Sequence, residues 1–193
     1  LWINNSTELL NKVISRSNVI LIDQYEASAL VGDNNLKNAG LKIKMIDSNT
    51  KSTRYTKIFF NNKSTLGLDE GYDAGAFGFY KDLNVYTHLI EDNQGINMGI
   101  QSLPYSDMND IVVPVGINAK AGEIALVVQE NTIPYDVGIY LEDKKTGKFT
   151  AFEEGLNSIK IQSNQDLSGT GRFFLHFNQE KIDESNIPSE IKI

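Results

Sequence analysis

The sequence predicts an all-β fold, an antiparallel β-sandwich of two packed sheets. Residues 41–46 alternate apolar and basic side chains, which is the two-residue period of a strand with one buried face. Further short runs are rich in Val, Ile, Tyr, Phe and Thr, the residues that fit a pleated, half-buried surface. Clusters of Asn, Asp and Gly separate the runs, and the 15 Gly of the chain suit the positive φ angles of tight turns.

The predicted strands follow one another at short intervals. They cover residues 41–46, 55–60, 85–90, 96–101, 111–117, 124–128, 137–141, 156–161 and 172–177. Turn signals lie at 33–35, 61–62, 92–95, 145–147 and 168–171. Because strands at roughly 8–12 residue intervals with such turns are typical of sandwiches and barrels, we expect an Ig-like or jelly-roll-like arrangement.

Helices contribute little to the predicted fold. Asn5 and Glu8 resemble a capping box ahead of apolar residues at 9, 10, 13 and 14, which predicts one short N-terminal helix. The alternative for this stretch is a loop followed by a strand over residues 19–22. A second helical turn is an alternative for residues 74–79, although the nearby glycines disfavour it.

The composition of the chain changes near residues 40 and 178, which divides the chain into three parts. Residues 1–40 form an N-terminal flanking segment. This segment is either an insertion packed on the sandwich or the end of a preceding module that contributes one strand to the sandwich. Residues 41–178 form the β-sandwich domain. Residues 179–193 are charged, carry Pro188, and are typical of a linker leaving the domain.

The composition excludes several classes of protein. The chain has 18 basic and 25 acidic side chains, a net charge of −7, and no cysteine. The lack of cysteine excludes a disulfide scaffold, a thiolate zinc site, an iron–sulfur cluster and a cysteine nucleophile. The acidic balance argues against nucleic acid as a partner, because duplex binding requires clustered basic side chains. No apolar run is long enough for a membrane span.

The sequence gives little support to catalysis, so we do not expect an enzyme and assign no catalytic residue. No P-loop, HExxH or GxSxG motif is present. Carboxylates about 5–10 Å apart could hydrolyse glycosides, but 25 acidic residues produce such pairs by chance. His88 and His176 alternate with large apolar neighbours, which predicts structural positions on the outer face of their strands.

The acidic cluster of Asp69, Glu70 and Asp73 is a candidate metal site. Ca²⁺ takes about six to eight oxygen ligands, which loops supply from closely spaced carboxylates and backbone carbonyls. The spacing does not match an EF-hand. The alternative is a surface loop in which Asp side chains cap backbone amides while Gly71 and Gly75 allow unusual φ angles. No cofactor is required, and Ca²⁺ is the candidate cation.

Exposed aromatic rings are the usual platform for sugars, which stack their CH faces on Tyr and Trp. The candidates are Trp2, Tyr72, Tyr80, Tyr86, Tyr105, Tyr135 and Tyr140. Tyr72, Tyr80 and Tyr105 lie in loop-like segments, so we select them as candidate ligand-binding residues, since a strand tyrosine more often belongs to a core edge.

Several long stretches together resemble a known family. They are GLDEGYDAGAF (67–77), YTHLIEDN (86–93), IQSLPY (100–105), VVPVGIN (112–118), VGIYLED (137–143) and LSGTGRFFLHF (167–177). In this order they are similar to the β-sandwich module that precedes the C-terminal sorting domain of Bacteroidetes surface proteins exported by the type IX secretion system. The resemblance covers about residues 41–178.

This resemblance implies an extracellular or cell-surface protein and supplies no catalytic residues. The tail after residue 178 would lead toward a sorting domain. We therefore expect a non-catalytic accessory or adhesion module that spaces or binds near the sorting signal. Its partners would be neighbouring domains of the same polypeptide and a glycan or another cell-surface partner. The alternative is a carbohydrate-binding module of a polysaccharide-binding or polysaccharide-degrading protein, stabilised by Ca²⁺.

Overall fold

A computed structural model describes residues 38–76, 82–152 and 158–178 of the chain. These ranges contain eleven strands: β1 (Ala39–Asp47), β2 (Thr53–Asn61), β3 (Ala74–Gly75), β4 (Leu83–Thr87), β5 (Met98–Pro104), β6 (Asp110–Ala119), β7 (Gly122–Asn131), β8 (Gly138–Asp143), β9 (Lys148–Ala151), β10 (Ile159–Ser163) and β11 (Phe173–Asn178). A 3-10 helix, Tyr105–Asp107, follows β5. Within the described ranges, no helix has the length and apolar character that a membrane crossing needs.

The all-β prediction is confirmed, and every predicted strand overlaps an observed one. The sequence did not predict β3 or β9. The alternative of a helical turn over residues 74–79 is wrong at its start, because Ala74 and Gly75 pair with β5 as an extended strand. The predicted N-terminal helix and the alternative strand at 19–22 lie outside the described residues.

The strands form one sheet that curls back on itself. Their order is β10-β7-β1-β2-β5-β4-β6-β11-β8-β9, with β3 paired to β5. The pairs are antiparallel, as expected, except that β2 and β5 run parallel. Only one residue pair, Thr87 with Met98, joins β4 to β5. Although β2 and β11 are four places apart in the order, the rings of Phe60 and Phe177 touch edge to face at 4.9 Å.

The core lies inside this curled sheet and follows the two-residue period of the strands. In β11, Phe173, Leu175 and Phe177 are buried, whereas the residues between them are only half-buried. β1 repeats the pattern with Leu41 and Ile43. Because each large apolar side chain contributes about 1.5–3 kcal/mol when fully buried, these inward rows are the main stabilising force.

The start of β1 and the end of β11 lie at the same end of the molecule. Ala39, which opens β1, pairs with Phe60, and the Phe60 ring touches Phe177 beside the last residue of β11. The loop between β7 and β8 lies at the same end, because the Thr132 amide donates to the Gly40 carbonyl at 2.8 Å. The chain therefore enters and leaves the described domain on the same side.

Candidate functional site

The acidic loop between β2 and β3 is fixed to β5 through one buried carboxylate. Asp73 is only 2% exposed. Its Oδ1 accepts a hydrogen bond from the Ser102 amide at 2.6 Å, and its Oδ2 accepts one from the Asp69 amide at 2.8 Å. The Ser102 hydroxyl in turn donates to the Tyr72 carbonyl at 2.8 Å. The structural alternative from the sequence, in which Asp73 satisfies backbone amides, is confirmed.

Burial dominates the acid–base behaviour of this carboxyl group. Removal from water raises the pKa of Asp73 from 3.8 to about 7, because a charge is poorly solvated there. The amide hydrogen bonds from Asp69 and Ser102 oppose this rise by stabilising the charged form, and the nearby Asp69 carboxylate adds to it. Asp73 therefore titrates close to neutral pH, unlike an ordinary aspartate.

The other candidate metal ligands have different surroundings. The Asp69 carboxylate accepts hydrogen bonds from the Thr65 amide at 2.6 Å and the Thr65 hydroxyl at 3.0 Å, and Glu70 is exposed. The described residues contain no group of three or more His, Asp or Glu side chains placed to hold a metal ion. The Ca²⁺ site stays a prediction, and Asp69 and Asp73 already have backbone donors on their oxygens.

The glycines of the loop have different roles. Gly71 adopts a φ of +84°, as predicted for a tight turn. Gly75 lies in β3 and is not among the positive-φ glycines of the described chain, so the prediction of an unusual φ there is wrong. The reason is the pairing of β3 with β5, which holds Gly75 in an extended conformation.

Two of the three selected tyrosines lie near the C-terminal half of β5. Tyr72 is half-buried on the loop that Ser102 holds, and Tyr105 begins the 3-10 helix and packs against the core. Tyr80 lies outside the described residues. Among the other candidates, Tyr86 is buried and Tyr135 is fully exposed in the loop between β7 and β8. The role of Tyr72 and Tyr105 in ligand binding stays a prediction.

Sequence reasoning listed Tyr140 among the aromatic candidates but missed the surface to which it belongs. We call this surface the outer aromatic face and define it as Tyr140, Phe149, Phe174 and His176. These side chains are half-buried on β8, β9 and β11. The Phe149 and His176 rings are 5.1 Å apart, and Tyr140 pairs with His176 in the register. The signal was present in the sequence, since Phe174 and His176 alternate with the buried residues of β11 and Tyr140 lies between buried residues of β8.

Both histidines have structural partners, His176 on β11 and His88 directly after the end of β4. His176 Nε2 lies 2.8 Å from a carboxylate oxygen of Glu142 on the neighbouring strand. His88 Nε2 lies 2.9 Å from Asn97 Oδ1, and its Nδ1 lies 3.2 Å from Asn93 Nδ2. Both rings are half-buried, as the alternation predicted. These contacts orient the rings and stabilise the neighbouring strands.

A cleft of about 470 Å³ separates the two edges of the sheet, between β10 on one side and β8, β9 and β11 on the other. Buried Leu141, Ile161 and Phe173 form its apolar lining. Arg172 lines it as well and donates from Nε and a terminal nitrogen to both Asp143 oxygens at 2.8 Å. The hydrogen bonds from Arg172 hold the pKa of Asp143 below its usual value.

Comparison of the chain with models of protein families, with curated proteins and with solved structures gave no match. A function for the chain is therefore argued from its sequence together with the side chains and the strand arrangement described above.

Proposed function

We propose that this domain is a non-catalytic adhesion module of a secreted, cell-surface protein. The proposed location beside a sorting signal rests on the resemblance of residues 41–178 to type IX modules. One structural observation favours adhesion over spacing: β1 begins and β11 ends at the same side of the domain, as Ala39, Phe60 and Phe177 mark. A spacer gains length when its ends lie at opposite poles. A module with adjacent ends instead presents its remaining surface to partners.

The finer architecture that suits this proposal is the two-sheet sandwich. One sheet would contain β10, β7, β1, β2 and β5, and the other β4, β6, β11, β8 and β9. The support is the single residue pair that joins β4 to β5, together with the contact of Phe60 and Phe177 across the core. Such a sandwich presents two broad outer faces, and adhesion modules need large exposed surfaces of this kind.

The experiment is surface labelling of intact producing cells with an antibody against the full chain, with and without cell permeabilisation. We expect labelling of intact cells or recovery of the protein from the medium. Labelling that requires permeabilisation would contradict the proposal. In parallel, the purified chain is incubated with a panel of polysaccharides, and release of new reducing ends would contradict a non-catalytic role.

A carbohydrate-binding module is the second candidate, and the outer aromatic face favours it. Phe149 and Phe174 combine apolar rings with the polar pair His176–Glu142, and sugar binding requires both kinds of group. The test is affinity electrophoresis in neutral polysaccharides with Phe174→Ala, and with Tyr135→Ala, a fully exposed tyrosine on the loop between β7 and β8, as the control. Retardation that Phe174→Ala alone abolishes would favour this candidate, and equal retardation of both variants would count against it.

A further inference from the structure

An acidic chain has an unexpectedly basic surface on β1 and β2. We call it the lysine stripe and define it as Lys42, Lys44 and Lys57 around the ring of Tyr55. The inward residues of β1 are buried, so the two β1 lysines lie on the outer face, and Lys57 pairs directly with Lys42. All four side chains are half-buried rather than fully solvated. The net charge of the whole chain is −7, so this surface locally reverses its sign.

Two of the three lysines place their ammonium groups beside the ring of Tyr55. The Lys42 ammonium lies 5.3 Å from the ring centroid and the Lys44 ammonium lies 6.0 Å from it. A cation near an aromatic face is attracted by the ring quadrupole, so Tyr55 limits the directions that the two chains sample. The aromatic ring therefore holds positive charge in a defined position before any anion arrives.

Among the residues that the structure describes, carboxylates pair with only part of the lysine stripe. Glu130 accepts from Lys42 at 2.9 Å. Lys44 and Lys57 make no ion pair within the described ranges. Like charges directly opposite each other on neighbouring strands destabilise a sheet, and Lys42 faces Lys57 in this way. An external anion placed between them would relieve that repulsion.

We propose that the lysine stripe is the binding site for an anionic, linear polysaccharide that carries carboxylates or sulfates. The inference rests on the proposed adhesion function and names the class of ligand and the surface that binds it. The backbone positions that carry the lysines are about 7 Å apart along β1 and about 5 Å apart across to β2, and such a repeat of basic positions suits a polymer with regularly repeated anionic groups.

A membrane fits this surface less well than a polysaccharide. Peripheral membrane binding combines basic side chains with apolar side chains that enter the bilayer. Within the described ranges the exposed large apolar residues are Val112 on β6 and Tyr135 on the loop between β7 and β8, and neither belongs to the stripe. Its outward apolar neighbours among the described residues, Ile46 and Phe59, are half-buried, so they do not form a fully exposed apolar wedge that could enter a bilayer.

The test uses the full chain in affinity electrophoresis and in direct binding measurements with polygalacturonate, with neutral dextran as the comparison polymer. We expect retardation by polygalacturonate alone, and weaker binding as NaCl rises from about 50 to 500 mM, because salt screens exposed charges. Lys44→Gln combined with Lys57→Gln should raise Kd about tenfold, since each exposed ion pair contributes modestly. Lys57→Gln alone should also weaken binding, whereas Lys148→Gln on β9, which removes the same single charge elsewhere, should leave Kd unchanged.

A stability measurement separates binding from folding. Lys57→Gln removes the like-charge pair, so its melting temperature should equal or exceed that of the unaltered chain while polygalacturonate binding weakens. Equal binding by the double variant, equal loss with Lys148→Gln, or retardation by dextran alone would overturn the inference. So would binding to vesicles containing anionic lipid without binding to polygalacturonate. Surface labelling of cells does not depend on the stripe, so failure here leaves the adhesion proposal to its own test.

Discussion

Replacing the buried carboxyl group of Asp73 by an amide tests how burial and hydrogen bonding compete in the acidic loop. In Asp73→Asn one oxygen becomes an NH2 group, so one of the two backbone donors, Ser102 or Asp69, faces another donor. Leaving a buried donor without an acceptor costs about 1–3 kcal/mol. We therefore expect the variant to fold but to be less stable than the unaltered chain at acidic pH.

The difference in unfolding free energy between the unaltered chain and Asp73→Asn should also depend on pH. The folded pKa of Asp73 is about 7 against 3.8 for a free side chain, so between these values the folded protein holds a proton that the unfolded chain lacks. The stabilisation from this proton is complete below pH 3.8 and is lost as the pH rises through 7. At about 1.4 kcal/mol per pH unit, the unaltered chain should lose about 3 kcal/mol relative to Asp73→Asn between pH 5 and pH 8.

The assay is urea unfolding of both proteins, followed by circular dichroism at pH 5, 6, 7 and 8. Subtracting the two free energies of unfolding cancels the contributions of the other titrating groups. A difference that stays constant above pH 5 would refute the reasoning, because it would mean that the two amide hydrogen bonds outweigh desolvation and keep Asp73 ionised. The carboxyl ¹³C shift of Asp73, followed through the same pH range, reports the titration directly.

Two further substitutions probe the packing and the charge pair. A Cβ at Gly116 would lie 2.1 Å from the Tyr86 ring, so Gly116→Ala should lower the free energy of unfolding in urea by about 1–3 kcal/mol. A Cβ at Gly99 would have its nearest neighbouring atom at 3.4 Å, so Gly99→Ala should be nearly neutral. Equal costs for the two variants would contradict the steric explanation. Asp143→Asn removes the pair with Arg172 and should cost about 1–2 kcal/mol at pH 7. Because the folded pKa of Asp143 is lowered, this cost should shrink as the pH falls below 3.8, and a pH-independent cost would argue against the ion pair.

The strands with a buried face could be predicted from the sequence because their apolar residues repeat every second position. β9 was not predicted because its four residues are exposed or half-buried and do not alternate with buried apolar residues. β3 is two small residues long and exists through its pairing with β5. The parallel pairing of β2 with β5 depends on partners distant in the chain, such as Lys57 and Ile100, and no local pattern encodes it.

In the candidate sites, too, contacts between residues close in sequence could be predicted, whereas contacts between residues far apart in sequence could not. The structural role of Asp73 could be predicted, because a carboxylate in a glycine-containing loop commonly binds nearby amides. Its second partner, Ser102, is 29 residues away, and this contact across the fold buries the carboxyl group. The lysine stripe likewise needed the register, since the pairing of Lys42 with Lys57 exists only once β1 and β2 are aligned.

The shared side on which β1 begins and β11 ends has a consequence for any longer polypeptide that contains this domain. A module with neighbouring ends is a lateral branch on the chain that carries it, and it adds little to the distance between the segments on either side. Such a module could be gained, lost or exchanged while its neighbours keep their separation. The residues on its outer faces would then be able to change in evolution without altering the spacing of the domains on either side.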